Sequence, residues 1–156
     1  MEKRLAAQDQ GSPNPDFYHR LGLACAAMMR SSEYCQYPTA CLALWIEPAI
    51  LLGQIHFFYD LGGNLIGYMT WALLAEDTEE RLIHDPGVLF HLSEWNEGER
   101  LWIMDLVLID GSIRDSLREA HSLFPNFKSA KSLRRHKDGT VRKVTTWQRR
   151  SWLARS

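Results

Sequence analysis

The chain has 156 residues, a mass of 18.0 kDa, 46% hydrophobic and 24% charged residues, and 18 basic side chains against 19 acidic ones. That length predicts one compact domain whose core needs neither disulfides nor a structural metal, and the composition excludes disordered, collagen-like and coiled-coil chains. The near-neutral total hides an asymmetry: residues 1–127 carry 8 Lys/Arg against 18 Asp/Glu, whereas residues 128–156 carry 10 against a single acid, Asp138. A basic segment of this kind suits nucleic acid, an anionic membrane or an acidic protein. Cys25, Cys35 and Cys41 match neither a zinc site nor a redox pair, so a reduced, cytoplasmic chain is expected. Residues 1–16 read as a polar tail without the apolar core of a secretory signal. Thr39 to Leu52 is apolar but broken by Glu47 and Pro48, too short and interrupted to span a bilayer.

Pro15-Asp16 opens a helix in which Phe17, Leu21, Ala24 and Met28 recur at the helical period, ending near Arg30. Ser31 to Pro38 is polar and aromatic and reads as a loop, with Pro38 forcing an extended residue before it. From Gln54 the period becomes 2, and Leu61-Gly62-Gly63-Asn64 supplies a turn between Ile55–Tyr59 and Leu65–Leu73, a β-hairpin. Glu76 to His84 begins with acids that complement a helix N-terminus and stops at Asp85-Pro86-Gly87. Leu101 to Ile109 is apolar on both alternating faces except for Asp105, the pattern of a central strand buried on both sides.

Ser112 and Asp115 are spaced as a capping box for a helix with Ile113, Leu117 and Ala120 on one face, running to about Leu123. Two last strands, about Ser132–His136 and Thr140–Trp147, flank the hairpin signal Lys137-Asp138-Gly139. The expected fold class is α/β (α+β), a mixed and mostly antiparallel sheet flanked by helices, with one domain over 17–148 and a basic tail at 149–156.

Asp105 is the first chemical candidate, because a carboxylate inside an apolar strand loses hydration and needs donors or a task. A structural Asp bonded to amides or to an Arg is the competing reading. The six histidines show no metal spacing, and no phosphate loop, nucleophile elbow or Ser-His-Asp order is present.

Two blocks then stand out: Gly67-Tyr68-Met69-Thr70-Trp71-Ala72, and Glu94-Trp95-Asn96-Glu97-Gly98-Glu99-Arg100-Leu101-Trp102-Ile103-Met104-Asp105. With Leu21-Gly22 and Pro48-Ala49-Ile50, they resemble the toxin-activating lysine acyltransferases, the HlyC-like proteins that fatty-acylate RTX protoxins. The likeness runs from about residue 20 to 144, in several separated blocks in order.

The resemblance implies a GNAT-like fold, an acyl-acyl carrier protein donor in place of a resident cofactor, a homodimer, and a protein or peptide acceptor: a protoxin lysine, or a lysine or ornithine of a ribosomal precursor peptide. The family's essential Asp falls on Asp105. Its essential His, in an S-x-x-H segment four positions before a Pro, falls on Tyr34 in Ser31-Ser32-Glu33-Tyr34 with Pro38. A phenol of ordinary pKa near 10 is a poor base but can protonate a departing thiolate. Tyr34 is therefore expected as a general acid, and Cys35 beside it as a weaker candidate nucleophile.

Ser31 and Trp71, within the shared blocks, are expected at the substrate site. Arg134, Arg135 and Arg142 are expected to dock the acidic carrier protein. After the Asp the chain departs from the family, with Leu106-Val107-Leu108-Ile109-Asp110-Gly111 in place of W-I-A-P-F-G. Neither a nucleic-acid partner nor a membrane span is expected. The alternative is a non-catalytic relative that binds acyl carrier protein or another protein.

Overall fold

The computed structural model describes residues 15–111 and 113–149. The polar segment before Pro15, Ser112 with its capping box, and the basic tail from Arg150 onward lie outside the described residues. Helix α1 spans Pro15–Arg30, α2 Glu47–Leu51, α3 Glu76–His84 and α4 Ile113–Ser122. The strands are β1 Ile55–Tyr59, β2 Leu65–Leu74, β3 Arg100–Leu108, β4 Ser129–Arg135 and β5 Val141–Gln148.

Five strands form one sheet in the order β1-β2-β3-β4-β5, so β3 is central as its apolar run predicts. Neighbours are antiparallel except β3 and β4, whose parallel pairing is what the intervening helix α4 allows. The fold class is therefore the expected α+β arrangement, in keeping with a GNAT-like fold.

A helical layer covers each face of the sheet. On one side α1 contributes Ala24, Ala27 and Met28, α2 contributes Ala49 and Ile50, and α3 contributes Leu82 to a core that also holds Trp95 and Trp102. On the other side Phe58, Met69, Leu101 and Ala130 pack with Ala120 and Phe124 at and beyond α4.

One segment gains an element that was not expected, and one local reading changes. Leu42–Leu51 is helical throughout, a wide π turn over Leu42–Ile46 leading into α2. Its buried residues Ile46, Ala49 and Ile50 recur at helical spacing, while Leu44 and Leu51 are exposed. In α4 the buried positions are Ser116 and Ala120, and Ile113, expected on the apolar face, is 60% exposed.

Candidate active site

β3 carries one residue too many for its partner. Thr70 pairs with Asp105 and Trp71 with Ile103, leaving Met104 as a β-bulge. Strict alternation would put Asp105 on the face of Leu101 and Ile103, which pack toward α4. The bulge resets the alternation, so that Leu106 and Leu108 continue that face while Asp105 shares the opposite one with Trp102, Met104 and Val107. The Asp105 N–H donates to Thr70 Oγ1 at 3.1 Å, which ties the bulge to β2.

Facing the carboxylate is Tyr34, whose hydroxyl donates to Asp105 Oδ1 at 2.8 Å. Its place follows from how α1 ends. Ser31 Oγ accepts from the Tyr34 N–H at 3.3 Å and the Ser31 carbonyl from the Cys35 N–H at 3.0 Å. These bonds close a single turn over Tyr34–Gln36, after which Tyr37 is extended ahead of Pro38. The Tyr34 and Tyr37 rings pack at 4.9 Å.

Burial pushes the Asp105 carboxyl above its ordinary range; the Tyr34 hydrogen bond opposes this, and the Glu33 charge adds to the rise. Burial, then the charge of Asp105, drives the Tyr34 phenol strongly upward. The pair is thus a carboxylate made more basic and a phenol that holds its proton. Tyr37 and Cys41 nearby are also raised, chiefly by burial and in part by Asp105.

The other expected residues separate. Ser31 shapes the turn under Tyr34. Trp71 lies on the opposite face of the sheet, edge-on to Phe124 at 5.2 Å, and does not meet the pair. Arg135 donates to the carbonyls of Gly139 and Leu82, whereas Arg134 and Arg142 are exposed on the β4–β5 hairpin. The Cys35 thiol is exposed and directed at the Ser32 carbonyl.

The block that precedes Asp105 is largely architectural. Trp95 is fully buried, and a Cβ on Gly98 would come within 2.0 Å of the Leu74 carbonyl. Glu79, one of the acids at the start of α3, takes hydrogen bonds from Trp102 Nε1 at 2.7 Å and Lys131 Nζ at 2.8 Å, and pairs with Arg100 at 3.2 Å. It joins α3, β3 and β4 beneath the site. Beyond this junction β4 leaves β3: the two pair only at Trp102–Lys131 and Ile103–Ser132, while β3 continues along β2 to Leu108.

Residues 14–148 match HlyC, the RTX toxin acyltransferase family. The chain belongs to that family. It is 29% identical over 152 residues to the protein-lysine palmitoyltransferase CyaC of Bordetella bronchiseptica, covering 94% of this chain and 79% of the relative. Over 94 residues it is 34% identical to the leukotoxin-activating lysine-acyltransferase LktC serotype A1 of Mannheimia haemolytica, covering 60% and 55% of the two chains. An uncharacterised protein of Synechocystis sp. is 28% identical over 130 residues, 81% of this chain and 87% of that one. RTX toxin acyltransferases of this kind are protein-lysine acyltransferases with a protein as acceptor. The two positions singled out by resemblance to that family, Asp105 and Tyr34, are hydrogen-bonded neighbours although 71 positions apart in sequence. Among the described residues no helix is long and apolar enough to cross a membrane.

Proposed function

We propose that this chain is an N-acyltransferase that moves a fatty acyl group from acyl-acyl carrier protein to the side-chain amine of a lysine or ornithine in a cytoplasmic protein or peptide. The observation that carries the reading is the Tyr34–Asp105 pair at the bulge in the central strand. The edge of β3 beyond Ile103, which β4 leaves uncovered, supports it further, since backbone N–H groups in such a gap suit the thioester oxygen as it gains charge.

The amine must be neutral to attack. As its nitrogen bonds to the thioester carbonyl carbon, Asp105, raised in basicity by burial, takes the N–H proton. The C–S bond then breaks and the leaving thiolate takes a proton from Tyr34, which recovers one from Asp105. The carboxylate's charge helps hold the phenol's proton, so protonating Asp105 makes Tyr34 a better acid at the step where an acid is needed. The products are an amide and a free carrier thiol, and the pair returns to its starting state.

The test is transfer from purified acyl-acyl carrier protein to a protoxin fragment and to lysine- and ornithine-bearing precursor peptides, read as acceptor mass gain and thiol release. One of these acceptors gains one acyl group with the wild-type protein. Asp105→Asn lowers turnover by roughly 10²–10⁴-fold and Tyr34→Phe by roughly 10²-fold, both with the fold retained. Carrier binding without transfer to any acceptor, or full activity in Asp105→Asn, would overturn the proposal.

A further inference from the structure

Tyr68 stands on β2 opposite Val107 of β3 and is fully buried. Val107 lies two residues beyond Asp105, with regular alternation between them, so Tyr68 and Asp105 are diagonal neighbours on one face of the sheet. At that separation, about 7–8 Å, a tyrosine side chain still reaches its neighbour's surroundings.

Among the described residues Tyr68 Oη has no hydrogen-bond partner. Among the same residues the Asp105 carboxylate receives one side-chain donor, the Tyr34 hydroxyl, at Oδ1. A buried donor and an acceptor oxygen thus lie on the same face with no bond between them. Buried polar groups are as a rule satisfied by protein or by ordered water.

We propose that Tyr68 is a positioning residue for the acyl transfer: through one bound water its hydroxyl is the second donor to the Asp105 carboxylate. Tyr34 and Tyr68 then hold its two oxygens from the helical layer and from the sheet. The other titratable groups facing this pair are Glu33, Tyr37 and Cys41 from the segment after α1, and Cys25 of α1 beside Tyr68. None of these is a cation, so among the described residues hydroxyl donors are what sustain the carboxylate's charge. Burial and the nearby Asp105 raise the Tyr68 phenol, which therefore keeps its proton and remains a donor.

Tyr68→Phe keeps the ring and removes the hydroxyl. The variant is expected to fold, with the wild-type melting temperature at acid pH, where Asp105 carries its proton, and a lowered one at neutral pH, where the carboxylate has lost a donor. The Asp105 titration, followed by carboxyl-carbon NMR and assigned with Asp105→Asn, moves up by about one pH unit when a donor to the charged form is removed. The acid limb of the kcat/KM profile moves the same way. Tyr59→Phe, the same substitution at a half-exposed position on β1, moves neither.

An unchanged Asp105 titration in folded Tyr68→Phe overturns the inference. So does a loss of stability that persists at acid pH, where Asp105 is protonated, since it would give the hydroxyl a structural partner. The kinetic arm rests on the acyltransferase reading, but the NMR arm does not: failure of that reading appears as absent transfer in the wild type, with the titration shift intact.

Discussion

Asp105 illustrates what a single residue costs a fold and why it is kept. Its carboxyl is raised above the ordinary 3.8, so the folded state holds the proton more tightly than the unfolded chain does. Stability therefore falls as pH rises from about 3.8 through the folded value, and remains lowered above it. Asp105→Asn stays neutral and escapes that loss. It is expected to melt above the wild type at neutral pH, with the gap closing as pH drops below 3.8. Melting curves between acid and neutral pH check this, and a variant that melts lower at neutral pH would mean that the charge stabilises the fold. Isolation in an apolar run marked Asp105 in the sequence. Tyr34 was marked only by the family resemblance, as the residue standing where the family's His falls. That the two share a hydrogen bond came from the bulge, because alternation by itself sends Asp105 to the other face.

Most elements are local in origin and were readable as such. Pro15 and the 3.6-residue spacing define α1, the Gly62-Gly63-Asn64 turn defines the first hairpin, and Asp138-Gly139 defines the last. How the elements are joined was not readable. The acids at the start of α3 look alike in sequence, yet Glu79 alone is buried, accepting from Trp102 and Lys131 and pairing with Arg100. Glu79→Ala leaves those donors without their acceptor and is expected to cost about 3 kcal/mol, measured by urea unfolding. Transfer should fall with it, since β3 and β4 meet at this point. Loss of less than about 0.5 kcal/mol would reduce the cluster to a surface ion pair. Gly67 shows the same dependence on context: a Cβ there would meet the Val107 carbonyl at 2.0 Å, a close approach that no local rule for strands signals.

For the whole molecule, the charge asymmetry and the order of layers matter most. Arg134 and Arg142 are exposed on the basic hairpin, and we expect their joint reversal to Glu to slow association with acyl carrier protein. The effect should shrink at high salt, where exposed charges are screened beyond about 8 Å or less. Stopped-flow binding at two ionic strengths checks this, and unchanged association at low salt would leave the segment as solvated surface. Arg135 is omitted because its guanidinium holds the Gly139 and Leu82 carbonyls, so its reversal would test folding instead. The sequence by itself determined α1, α3 and α4, the hairpins, the central strand, the basic C-terminal segment and the family resemblance, all of which depend on periodicity, turn chemistry, local composition or short ordered motifs. Only the tertiary structure decided which face of β3 carries Asp105, that Trp71 lies on the other face, that β4 parts from β3 beyond Ile103, and that Tyr68 lies buried beside the carboxylate. Those outcomes rest on strand register and on contacts between distant segments, and a one-residue bulge reverses the facing of every side chain beyond it without altering the apolar pattern from which the strand was read.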